Sequence, residues 1–141
     1  MPTSKASATW EGNLATGRGT MKPDHAADIA FSRATRFEGA QGSNPEEVVG
    51  AALAGCFSMA LSLGLEQAGM TPQSIRTSAT VHLEKMADGF GVPRIELVTE
   101  VRASGGDDAK FATVAAQTKK GCPISKLLAA AEITLDAKLV R

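Results

Sequence analysis

Cys56 and Cys122 are the only cysteines in this chain of 141 residues, and a pair of thiols is suited to reversible two-electron oxidation. Their settings differ. Cys122 follows Lys119, Lys120 and Gly121 and precedes Pro123, and a helix start beside two cations favours a thiolate. Cys56 stands in the middle of the uncharged run VVGAALAGCFSMALSLGL, residues 48–65. Burial there raises a thiol pKa unless a fixed cation lies against it. Arginine suits that task, because it keeps its charge when partly desolvated and offers several donors. Arg33 and Arg36 precede the run, and Glu46 at its start could hold such a guanidinium in place. The plainer account makes Cys56 a small buried residue and Arg36 a surface charge. From residue types alone, Cys122 ranks as the more acidic thiol.

The element that carries Cys56 must be a long helix spanning residues 43–70. Ser43 or Asn44 can cap its first turn, Pro45 fits the first helical position, and Glu46 and Glu47 suit the positive dipole end. Gly69 and Pro72 stop it. About 22 residues give a rise of about 33 Å. The uncharged run approaches the length of a bilayer span, but it is rich in Ala, Gly and Ser and flanked by Glu46, Glu47 and Glu66 without nearby Lys or Arg. The expectation is a helix buried on nearly all sides, with no membrane. Gly50, Ala54, Ser58 and Ser62 form one small-residue stripe, and Ala52, Cys56, Ala60 and Gly64 another. Both allow close backbone approach.

Around this helix the chain reads as an α+β domain in the order βββ-α-ββ-αα-β. Strands are expected at 4–10, 14–21 and 28–32, with few large side chains and His25 in a solvated loop. Residues 33–43 read as a loop hinged at Gly39 and Gly42. After the helix, Ile75, Thr77, Ala79, Val81 and Leu83 alternate with polar residues, His82 among them facing water. A return strand spans 94–102, a helix 107–119, a further helix 122–130, and a last strand 133–139. The organisation is one domain, 1–141, with an N-terminal strand meander (1–35), the central helix (43–70) and a C-terminal α/β part (74–141).

Composition narrows the function. The 15 basic and 15 acidic residues cancel, and there are one Trp, five Phe and no Tyr. Neither a phosphate-binding stripe nor a base-stacking platform follows, so nucleic acid is not an expected partner. Two cysteines with distant His25 and His82 have no metal-ligand spacing. The start, MPTSKASATW, has no hydrophobic signal region, which points to the cytoplasm.

The segment TRFEGAQGSNPEEVVGAALAGCFSMALS (35–62), with GCPIS (121–125), resembles the OsmC/Ohr family of hydroperoxide-reducing thiol proteins. TWEGN, GRGT and AEITLDAKL resemble its OsmC branch. The resemblance implies that Cys56 attacks the peroxide, Cys122 resolves the product as an intramolecular disulfide, Arg36 stabilises the thiolate and Glu46 holds Arg36. It further implies a hydroperoxide substrate, an external dithiol reductant such as a lipoylated protein, and no cofactor. Cys56 as nucleophile reverses the ranking by residue type, since a tertiary contact to Arg36 would outweigh helix-end proximity. Ala52, Leu53, Phe57, Met59 and Ala60 around Cys56 favour organic hydroperoxides over hydrogen peroxide.

Glu46 and Cys56 stand ten residues apart on one helix, an axial rise of about 15 Å. The expectation is therefore an intertwined homodimer with sheets wrapped around two long central helices. Its sites would be composite, and which subunit supplies Arg36 stays open. The alternatives are a non-catalytic redox-sensing or apolar-ligand-binding dimer, and a structural domain with two inert cysteines.

Overall fold

The computed structural model describes all residues, Met1–Arg141, in the order βββ-αα-ββ-αα-β. The chain divides into two compact units, Met1–Val48 and Val49–Arg141.

In the first unit, β1 (Ala6–Glu11), β2 (Arg18–Pro23) and β3 (Ile29–Phe31) form an antiparallel meander. The second strand starts at Arg18 rather than residue 14. Asn13 Oδ1 accepts from the Thr16 backbone and hydroxyl, and Gly17 N–H donates to Asn13 O, so 13–17 curl into a turn. Trp10 and Phe31 pack with ring centroids 5.7 Å apart. Gly19 lies beneath them, where a Cβ would come within 2.5 Å of Phe31 and 2.8 Å of Trp10. Every residue of β1 is nevertheless exposed.

Residues 33–43 were expected to be a loop, but they open with a single helical turn, α1 (Arg33–Phe37). Ser32 and Thr35 form a capping box, each side chain accepting from the other's backbone N–H. Three residues of spacing carry that signal, and a five-residue helix has too little periodicity to announce itself otherwise.

In the second unit, the body of α2 (Pro45–Gln67) lies on a sheet of β4 (Thr71–Met86), β5 (Gly89–Ser104) and β6 (Glu132–Val140). The β4–β5 pair is an antiparallel hairpin, and β6 runs parallel to β5. The central strand β5 buries Ile95, Leu97, Thr99, Val101 and Ala103 in strict alternation. Against it α2 sets Leu53, Phe57, Leu61 and Leu65, all wholly buried at four-residue spacing. Gly50 brings the helix backbone close to β4, since a Cβ there would lie 3.2 Å from Val81. A Schellman motif ends α2: Gly69 takes φ +80° while Met70 N–H reaches Leu65 O and Gly69 N–H reaches Glu66 O.

Burial of α2 on nearly all sides does not hold. Only the one stripe is fully buried, while Met59 is 80% and Leu63 57% exposed. One sheet can cover only one side of a cylinder. The helix is long and apolar enough to cross a membrane, yet that stripe is committed to the protein core. His82 also departs from expectation. Its Nε2 lies 2.9 Å from Glu96 Oε2 across the β4–β5 pair, and its side chain is three-quarters buried.

Candidate active site

Cys122 is placed by its neighbours in sequence. Asp107 caps the start of α3 (Asp108–Gly121) by accepting from Lys110 N–H. Pro123 disfavours helical backbone at the residue before it, and Cys122 takes φ −58°, ψ 133°. It therefore closes α3 and opens α4 (Pro123–Leu127). This last helix is shorter than the expected 122–130, because residues 128–130 continue as turns. The bend turns the Cys122 side chain inward, leaving the residue 1% exposed.

Cys56 is set by the same helix that forms the core. It precedes the buried Phe57 on α2 and remains half-buried. The two sulfurs share a hydrogen bond at 2.7 Å, although the residues are 66 positions apart. Both are free thiols. A disulfide needs about 2.05 Å between sulfurs, so a small movement suffices to join them.

The surroundings divide the proton unequally. Burial raises the Cys56 thiol pKa, and the adjoining Cys122 raises it further, against a lowering contribution from the Ile124 N–H. No cation acts on it. Burial also opposes ionisation of Cys122, but contact with Cys56, the Ser125 and Ile124 N–H groups and the Ser125 hydroxyl together hold its pKa below the ordinary thiol value. Cys122 is thus the more acidic sulfur in the isolated chain, with contact with Cys56, rather than the neighbouring lysines of the residue-type argument, as the largest lowering cause.

Arg36 and Glu46 meet within the first unit. The pair is bidentate: Arg36 Nη2 donates to Glu46 Oε1 at 2.6 Å, and Nε approaches Oε1 at 3.1 Å and Oε2 at 3.2 Å. Asn44 joins the two elements that present them. Its Oδ1 accepts from Glu47 N–H and caps α2, while its Nδ2 donates to Thr35 O in α1. Arg36 also stacks over Phe37, with Cζ 5.3 Å from the ring centroid. Arg33 is occupied elsewhere, by Glu38. Of the two candidate arginines, the carboxylate of Glu46 therefore selects Arg36.

Outside Cys56, the apolar wall differs from expectation. Leu53 and Phe57 point into the core and are wholly buried. Ala52 and Met59 are exposed and Ala60 is half-buried. Beside Cys122 a groove of about 410 Å³ runs between α2 and α3, lined by Ala60, Leu63, Gly64, Val114 and Thr118 among others. No three His, Cys, Asp or Glu side chains gather as a metal-binding cluster.

Residues 38–138 match the family described as OsmC-like protein. The chain is also 47% identical over 137 residues to Peroxiredoxin OsmC of Escherichia coli (strain K12), covering 96% of this chain and 95% of that protein. This chain belongs to the OsmC-like protein family. Solved OsmC-like folds are similar in three dimensions. An organic hydroperoxide resistance protein from Elizabethkingia anophelis superimposes with TM-score 0.79 at 22% identity over 99% of each chain. An OsmC-like protein from Mycoplasma pneumoniae gives 0.74 at 21% identity, covering 97% of this chain and 98% of that one. At such identities the likeness speaks for the fold, and the fold places two distant cysteines sulfur to sulfur.

Proposed function

We propose that this OsmC-like protein is a cysteine-based peroxidase that reduces organic hydroperoxides to alcohols. The observation that carries the reading is the 2.7 Å approach of Cys56 and Cys122. The 47% identity to Peroxiredoxin OsmC supports it. Cys56, the less buried sulfur, attacks the peroxide as thiolate. A bond forms between sulfur and the distal oxygen, the O–O bond breaks, and the alkoxide takes a proton to leave as alcohol. Cys56 is then a sulfenic acid. The Cys122 thiolate displaces hydroxide from it, which leaves as water on protonation, and the two sulfurs are joined. An external dithiol, such as a lipoylated protein, reduces the disulfide and is itself oxidised.

The raised Cys56 pKa calls for a cation before attack. In our reading Arg36, oriented by Glu46, supplies it in an intertwined homodimer with composite sites. The exposed Met59 and Leu63 on α2 support such an assembly, since a second copy would cover an apolar face that one sheet leaves open. We place the protein in the cytoplasm, where reducing pools keep thiols reduced between turnovers.

A second reading, a non-catalytic redox-sensing or apolar-ligand-binding dimer, is favoured by the groove beside Cys122. One experiment separates the two. Hydroperoxide is mixed with catalytic protein and excess dithiol, and peroxide loss is followed. Many turnovers per protein are expected; a single stoichiometric oxidation would leave the sensor.

A further inference from the structure

Ser125 is 4% exposed, and its hydroxyl is the one buried side-chain nitrogen or oxygen that lacks a hydrogen-bond partner. Burying a hydroxyl without a partner is costly, and such a group in a folded protein calls for an explanation. Its position supplies one. Cys122 is the cap of α4 and Ser125 lies three residues on, so the first turn folds residue 125 back toward residue 122. The hydroxyl is near enough to the Cys122 sulfur to favour its ionised form.

Resting on the peroxidase reading, we propose that Ser125 is a positioning residue whose hydroxyl donates to the Cys122 thiolate. While Cys122 holds its proton, as in the reduced pair, the hydroxyl has no strong acceptor. A thiolate is the acceptor it lacks. Two steps generate or consume that thiolate. In resolution the thiolate attacks the Cys56 sulfenic acid, and the donor ensures that the ionised form is present. In reduction a thiolate of the external dithiol attacks the Cys56 sulfur, forming a mixed disulfide there. The Cys56–Cys122 bond breaks, and its electron pair leaves on Cys122. The second thiol of the dithiol then releases Cys56 and becomes oxidised. A leaving thiol of lower pKa departs faster, so Ser125 accelerates the regeneration of the enzyme. Exposure agrees with that direction of attack, because Cys56 is half-buried and Cys122 is buried.

The test removes the hydroxyl and reads the sulfur directly. In full-length Cys56→Ser protein, Cys122 is titrated by thiolate absorbance and by the pH dependence of its alkylation rate. Adding Ser125→Ala should raise the apparent Cys122 pKa by about one unit, a tenfold loss of thiolate below it. Ser125→Thr should keep the original value, and Ser125→Gly, which removes the hydroxyl without adding bulk, should repeat the alanine result if that variant folds poorly. In otherwise native protein, Ser125→Ala should slow disulfide reduction by dithiol several-fold while sulfenic acid formation on Cys56 keeps its rate. An unmoved Cys122 titration in both the alanine and glycine variants would overturn the proposal. That titration uses no peroxide, so it stands or falls independently of turnover in the native protein.

Discussion

The two units of this chain solve the problem of stability differently. All thirteen residues of the buried hydrophobic core, from Leu53 to Cys122, lie in the unit 49–141. The unit 1–48 has a sheet whose first strand is exposed throughout and an aromatic contact between Trp10 and Phe31. The thiol pair is built into the first of these environments, one of its members being part of the core itself. The Arg36–Glu46 pair is built into the second, held by caps and side-chain hydrogen bonds. Rigid packing thus positions the sulfurs, while the Arg36–Glu46 ion pair is carried on a unit with little buried core of its own.

The sharpest way to break this division is to remove the thiols one at a time. Cys56→Ser should reduce peroxide consumption to the uncatalysed background. Cys122→Ser should permit one turnover and accumulate sulfenic acid, detected by trapping and mass spectrometry. If Cys122→Ser alone blocks that first turnover, the roles of the two sulfurs are exchanged.

The next effect belongs to the exposed unit. Loss of an adjacent cation raises a thiol pKa by about one to three units, so Arg36→Gln should slow attack at neutral pH by about 10- to 1000-fold. Glu46→Ala should act in the same direction through the orientation of Arg36. Mixing Glu46→Ala subunits with Cys56→Ser subunits should restore one intact site per dimer. A monomer at micromolar concentration, or no recovery on mixing, would show that each site is built within one chain.

Stability should follow the core. Leu61 is wholly buried, and Leu61→Ala should cost about 2–5 kcal/mol in urea unfolding. Trp10 is 38% exposed, so truncating it should cost the isolated fold distinctly less. Equal losses at the two positions would mean that the N-terminal sheet carries core-like packing in solution.

Substrate preference is a smaller effect. An alkyl tail that buries about 60 Å² against Ala52, Met59 and Ala60 would favour an organic hydroperoxide by about tenfold, at about 25 cal/mol per Å². Comparable kcat/KM for cumene hydroperoxide and hydrogen peroxide would remove that wall from the mechanism. The smallest effect is at His82. Its hydrogen bond holds the Glu96 carboxyl below the usual range, so the stabilisation is present above the unfolded carboxylate pKa and disappears as pH falls through the lower folded value. Stability curves of native protein and His82→Gln should separate slightly above about pH 4.3 and converge in acid.

Much of this was legible in the residues. The ends of α2 were readable because Asn44, Pro45 and Gly69 act on backbone groups within a turn of themselves. The inward face of β5 was readable because alternation is a local property of a pleated strand. The two cysteine motifs, one inside α2 and one between α3 and α4, and the family they resemble could be read from contiguous residues as well. The α1 turn was missed because the Ser32–Thr35 box is a two-residue signal inside a loop-like composition.

The α+β order, the long apolar helix and the identity of the two thiols were legible in the residues alone, because each rests on local patterning. The lowered pKa of Cys122, in contrast, owes most to its contact with the distant Cys56. Only the tertiary structure decided that Cys56 and Cys122 touch and that Glu46 takes Arg36 rather than Arg33. It also decided that Leu53 and Phe57 turn away from the site. Those facts depend on how α2 rotates against the sheet and where α3 delivers its last residue. Both are fixed by packing between segments far apart in the chain, which no local spacing encodes.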